Sequence, residues 1–188
     1  GEAFVIGIRR ARPADAAAIA AVHVAAWRST YPGILPDRYL AHLSVIRQAS
    51  HYDRAIRAEG GVFVAAAWGD DLPPGGRPHV VGFTTTELAR SPGLAEGEIE
   101  TLYVLDDWRE RGLGRRLMRA AAAHLQSVGC HSVFLWVLSE NPSRWFYSRL
   151  GGRAVAQTTV QVGGRPVHQT AFLWNPIERL LETSAQAS

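Results

Sequence analysis

Residues 98–117 read EIETLYVLDDWRERGLGRRL. The order is a strand, a polar break at Asp106 and Asp107, a loop carrying Gly112 and Gly114, and the start of a helix. A junction of this kind points backbone N–H groups and the positive end of a helix dipole at one small volume. The glycines remove side chains where the backbone must touch an anion, and Arg109, Arg111 and Arg115 add positive charge at the rim. The stretch therefore predicts a cradle for the pyrophosphate of a cofactor.

Composition removes several candidates for that cofactor. All 20 basic residues are arginines, so the lysine of the NTPase phosphate loop cannot be supplied, nor can a Schiff-base lysine. A dinucleotide-binding GxGxxG needs glycine at position 117, where Leu117 stands. The net charge of +3 comes from arginines dispersed among acids, with no basic stripe interleaved with aromatics, so nucleic acid is not expected as a partner. The seven histidines show no metal spacing and GxSxG is missing, so neither a metal site nor a serine hydrolase is expected. The sole cysteine, Cys130, follows Gly129 at a helix end and reads as structural. No apolar run approaches membrane-spanning length, and a cytoplasmic protein without membrane attachment is the expectation.

Outward from the opening stretch, periodicity predicts strands over 4–9, 62–68, 80–87, 98–104, 132–138, 154–162 and 167–174. Helices are expected over 16–27, with Ile19, Val22, His23 and Ala26 on one side, and over 36–57, with Tyr39, Leu40, Leu43 and Ile46 sharing a face. A third follows the glycine loop, striped by Leu113, Leu117, Ala121 and Leu125, and a short fourth covers 142–150. The turn-rich segment 69–78 joins two antiparallel strands. This is one α/β (α+β) domain over 1–175, with helices on a mixed, largely antiparallel sheet, and a C-terminal tail over 176–188 that holds a helical turn or two and frays over 183–188.

Arg109, Gly112 and Gly114 meet the pattern [QR]xxGx[GA], and Asn141-Pro142-Ser143-Arg144-Trp145-Phe146-Tyr147 resembles the NxxxxxFYxxxGF segment of the GNAT superfamily of N-acetyltransferases. Two departures stand out: only four residues separate Asn141 from Phe146, and Gly152 replaces the final phenylalanine. The resemblance implies a V-shaped splay between strands 4 and 5 holding acetyl-CoA. The backbone of Leu102, Tyr103 and Val104 would pair with the pantetheine arm, the amides of Arg111, Gly112, Leu113, Gly114 and Arg115 would hold the pyrophosphate, and Asn141 and Ser143 would contact the arm from the other wall. It further implies acetyl transfer to a primary amine by direct attack through a tetrahedral intermediate, with Tyr147 as acid toward the thiolate and Glu98 or Glu100 as base.

Whether the two glutamates share a face depends on the strand: regular alternation keeps them together, and a bulge at the splay would reverse one. Trp27 and Tyr31 fall where the family places acceptor-binding walls, and Trp136 and Trp145 are further candidates, with at least one of them expected in the core. The acceptor is a small-molecule or peptide amine. A homodimer is left open, and the alternative function is a non-catalytic acyl-CoA-binding sensor.

Overall fold

The structure is a computed structural model and describes residues 5–58, 60–69, 79–90 and 93–185. Seven strands form one sheet: β1 (Val5–Arg10), β2 (Gly61–Trp68), β3 (His79–Leu88), β4 (Gly97–Val104), β5 (Val133–Leu138), β6 (Arg153–Val162) and β7 (Arg165–Trp174). Their spatial order is β1-β2-β3-β4-β5-β7-β6, antiparallel throughout except for β4 and β5. The expected strands are all present to within a residue or two. Phe4 and most of the turn-rich segment 69–78 lie outside the described residues.

Helices cover both faces of the sheet. α1 (Ala16–Thr30) buries Ile19, Val22, His23 and Ala26, the stripe read from the sequence, and with α3 (Val45–Arg57) packs over Val62, Val64 and Phe83. On the opposite face α4 (Leu113–Ser127) buries Leu113, Leu117, Ala121 and Leu125 over Ala65, Val81, Ile99 and Val133. α5 (Arg144–Arg149) is the short helix after β5.

The single helix expected over 36–57 is two: α2 (Asp37–Ala41), then a break, then α3. Ser44 is the cause, because its hydroxyl accepts from the Arg47 amide as an N-cap, at 3.3 Å, and starts a new helix. Arg28 secures the break by donating to the carbonyls of Leu40 and Leu43. The apolar face of α3 is consequently Tyr52 and Ile56, and Ile46 is 83 % exposed rather than sharing a face with Leu40.

The C-terminal segment holds its expected two helical turns but extends them through residues 183–185, which were expected to fray, while residues 186–188 lie outside the described ones. α6 (Glu178–Ala185) packs on α4, with Ile177 and Leu180 fully buried and the Ser184 hydroxyl bonded to the Leu180 carbonyl. Ile177 and Leu180 are three apart, which is enough apolar surface on one side to hold a short helix on α4.

Gly152 is required by the packing of β7. A Cβ built on it would lie 2.6 Å from Cζ2 of Trp174, so the β7 indole fills the space where a side chain at 152 would begin. Trp174 is fully buried and donates its Nε1–H to the Leu150 carbonyl at 3.0 Å, so it has no room to give. We expect Gly152→Ala to destabilise the fold by about 1–3 kcal/mol, the range for overpacking a tight core. Chemical denaturation measures this, and an unchanged midpoint would show that the indole can move.

Candidate active site

β4 and β5 run parallel and stay paired over only two positions, Gly97 with Val133 and Glu98 with Phe134. The divergence starts at a bulge. On β3, Thr85 faces Thr101 and Thr86 faces Ile99, which leaves Glu100 as the extra residue of β4. A bulge bends its strand and sharpens the twist. Thr84 Oγ1 donates to the Thr101 carbonyl and Thr85 Oγ1 shares a hydrogen bond with Thr101 Oγ1, both at 2.7 Å, so the bend is pinned from the neighbouring strand. Past it, Leu102, Tyr103 and Val104 remain paired with β3, while the edge toward β5 has no strand partner. The opening is a cleft of about 1110 Å³ between β4, β5, the end of α1 and the starts of α4 and α5.

One end of the cleft is the glycine loop. Gly112 is the N-cap of α4 with φ +75°, a left-handed conformation that glycine adopts without steric cost. The first helical bond runs from the Arg116 amide to the Gly112 carbonyl, so the amides of Leu113, Gly114 and Arg115 precede the helical ladder, and glycine offers no side chain to cap them. At Gly114 a Cβ would lie 3.3 Å from Phe146 Cζ, which fixes how closely α4 and α5 approach.

The loop arginines divide their work. Arg115 and Arg109 both line the cleft. Arg109 is also tied into the protein, with Nε 3.2 Å from Asp106 and Nη2 donating to Thr30 at 3.4 Å, while Ser29 Oγ donates to the same Asp106 carboxylate. Its side chain therefore joins the loop to the end of α1. Arg111 lies over the Trp108 ring, 4.9 Å from its centroid.

The opposite wall carries Asn141, Ser143 and Tyr147. Asn141 is buried, donates Nδ2 to the Tyr31 hydroxyl at 3.0 Å and accepts the Ser143 amide on Oδ1 at 2.9 Å, so it starts α5 and bridges to α1 at once. Tyr147 is buried against Phe146, Phe172 and Trp174 and lines the cleft. Burial, reinforced by the Tyr31 phenol, raises its pKa above the ordinary phenol value, so it remains protonated across the physiological range.

Glu98 and Glu100 both line the cleft, and they act on one another. The bulge falls so that the parity change comes after Glu100: Ile99 and Leu102 pack toward α4, while Tyr103 lies with α1. The pair that alternation would keep together thus stays together despite the bulge. Glu87, the direct cross-strand partner of Glu98, completes an acidic group that the sequence did not single out. Burial raises the pKa of Glu98, and Glu87 raises it further. Glu100 keeps an exposed edge at the cleft, and partial desolvation there, followed by Glu87 and Glu98, pushes it up to about 7, with Arg90 opposing weakly.

Trp27 and Tyr31 form the α1 side of the cleft, and Trp136 lines it from β5. Of Trp136 and Trp145, neither enters the core: Trp145 is 59 % exposed under the Arg144 guanidinium, because it faces outward on a helix of only six residues. His23 and Tyr52, which the sequence offered only as apolar-face positions or not at all, stand directly behind Trp27 and Tyr103. Their link is a contact between two helices and leaves no local signal. Cys130 is buried, as a structural cysteine should be. Among the described residues no group of three or more His, Cys, Asp or Glu could hold a metal ion, and no helix is long and apolar enough to cross a membrane.

Residues 20–151 match the sequence profile of the acetyltransferase (GNAT) family. The chain belongs to this family. It is 30 % identical to the uncharacterized N-acetyltransferase YuaI of Bacillus subtilis, across 94 % of this chain and 96 % of that protein. Among solved structures it resembles a GCN5-related N-acetyltransferase from Rhodopseudomonas palustris, with TM-score 0.66, 21 % identity, and 90 % and 94 % of the two chains covered. It also resembles yncA, a putative acetyltransferase from Salmonella typhimurium solved with its cofactor acetyl-CoA, with TM-score 0.65, 23 % identity, and 90 % and 93 % covered. The seven-stranded mixed sheet with one parallel pair is thus the GNAT fold, and the protein is an acetyltransferase.

Proposed function

We propose that the protein transfers the acetyl group of acetyl-CoA to the nitrogen of a primary amine, on a small molecule or a peptide, by direct attack through a tetrahedral intermediate. The observation that carries this reading is the early parting of β4 from β5, which leaves a bare strand edge at Leu102, Tyr103 and Val104 leading to the uncapped amides of α4. The edge suits the two amides of a pantetheine arm, which add to the sheet as a strand does. The amides over 111–115 and Arg115 suit a pyrophosphate. Asn141 retains one amide hydrogen beyond those it uses, and that hydrogen can reach a ligand on the β5 side.

In the reaction, the amine lone pair attacks the thioester carbonyl carbon and the C–S bond breaks. Glu100 takes the proton that the amine loses, with Glu98 beside it holding its pKa up. Tyr147 gives its phenolic proton to the departing thiolate. Trp27 and Tyr31 shape the acceptor side. Release of CoA thiol over a panel of amines tests the proposal; acetyl-CoA that binds but is never consumed would leave the acyl-CoA-binding sensor as the reading.

A bulky side chain at the cradle should act chiefly on the cofactor, with a smaller packing cost where it presses on Phe146. We expect Gly114→Leu to raise the acetyl-CoA Kd about tenfold or more, since position 114 lines the cleft beside the loop amides and its side chain would meet Phe146 there. Thermal unfolding should stay cooperative, because position 114 is at a helix end. Isothermal calorimetry decides, and an unchanged Kd would remove the pyrophosphate from this loop.

A further inference from the structure

The Trp27 indole has an unusual support. Its buried Nε1–H makes no hydrogen bond of good geometry and has only the Tyr103 phenol in weak reach, so ring contacts are the main hold on its plane. Those contacts are an edge-on Tyr31 at 5.1 Å, more distant Tyr39 and Tyr103 rings at 6.2 and 6.4 Å, and one parallel stack, on His23, at 5.1 Å with 14° between planes. His23 is itself fixed: its Nδ1 lies 2.6 Å from the Tyr52 hydroxyl, a buried hydrogen bond from α1 to α3. Tyr52 is held in turn by an edge contact with Phe83 in the sheet, 5.1 Å away. His23 also touches Tyr103 of β4, at 5.4 Å, which lines the cleft from the sheet.

A leucine or phenylalanine at position 23 would fill the helix interface without the cost of burying an imidazole. Burial, with His51 adding a little, lowers the His23 pKa to about 4, so the ring stays neutral and stacks without charge. What the polar pair adds over an apolar one is direction, since a hydrogen bond fixes the rotation of a ring that packing alone leaves free.

We infer that Tyr52 and His23 are a positioning pair for the acceptor-binding wall: the hydrogen bond sets the imidazole plane, and the imidazole sets the plane of Trp27 where it lines the cleft. Neither residue touches substrate. The inference rests on the proposed amine acetyl transfer for its kinetic consequence, and on the geometry for its structural one.

Steady-state kinetics of Tyr52→Phe, His23→Phe and the double variant test it, using the amine with the highest turnover in the thiol-release panel. Each single change should raise the acceptor KM about fivefold while the acetyl-CoA KM stays within about twofold, and the double variant should be no worse than either single one, because both remove the same bond. His23→Leu, which also loses the stack, should be worse than His23→Phe. Equal shifts in both KM values, or additive effects, would reduce the pair to ordinary packing. The ¹⁵N–¹H signal of the Trp27 indole, identified among the six tryptophans by its loss in Trp27→Phe, gives a readout without turnover. It should move in Tyr52→Phe while the other indole signals hold. An unmoved signal overturns the inference even if the acetyl transfer stands, and a moved signal with no amine turned over supports the pair while the acetyl transfer falls.

Discussion

Tyr147→Phe should lower kcat about a hundredfold and leave the acetyl-CoA KM nearly unchanged, the magnitude expected when one general acid is removed. The ring contacts with Phe146, Phe172 and Trp174 involve no hydroxyl, so phenylalanine keeps the packing and loses only the proton. The loss should shrink with a thioester whose thiol has a lower pKa, because a better leaving group needs less protonation. Steady-state thiol release measures both effects. Full activity in the variant would take Tyr147 out of the mechanism and return it to the core.

Glu100→Gln should lower kcat/KM by a comparable factor, about a hundredfold at pH 8, and should abolish the acid limb of the pH profile. A carboxylate raised to about 7 acts as base only once deprotonated, so wild-type kcat/KM should rise tenfold per pH unit up to about 7 and then level off. The same shift bears on stability with a definite sign. The folded state holds the Glu100 proton more tightly than the unfolded chain does, so its contribution is complete below the ordinary glutamate value and is lost as pH rises through about 7. Glu100→Gln should therefore raise the melting temperature at pH 8 and change it little near pH 4. If instead the limb persists in this variant and vanishes in Glu98→Gln, the two carboxylates exchange roles.

How far the sequence carried differs between the two halves of the cleft. The glycine-loop half was legible as structure because its signals are local: alternation marks β4, glycines at 112 and 114 mark the turn, and a leucine stripe marks α4, all within one continuous stretch. Element order followed for the same reason, and the failures were local signals misjudged. The Ser44 N-cap divides an otherwise continuous helical pattern, and Ile177 with Leu180 holds the C-terminal helix against α4.

The half lined by Trp27, Tyr31 and the two glutamates was only partly legible. Trp27, Tyr31, Glu98 and Glu100 were candidates by position, but their supports come from distant parts of the chain. Tyr31 meets Asn141 across 110 residues and His23 meets Tyr52 across 29. Glu87 joins Glu98 only through the register of β3 on β4.

The sequence by itself determined the strand–glycine loop–helix cradle, the order of elements and the absence of lysine chemistry, since each of these depends on residues near one another in the chain or on composition alone. Only the tertiary structure decided that the bulge at Glu100 keeps the two glutamates on one side, that Trp174 fills the space above Gly152, and that a buried histidine stacks on Trp27. The physical reason is that side-chain direction along a strand turns on a single extra residue, and the packing partners of a helix are chosen by the whole sheet beneath it.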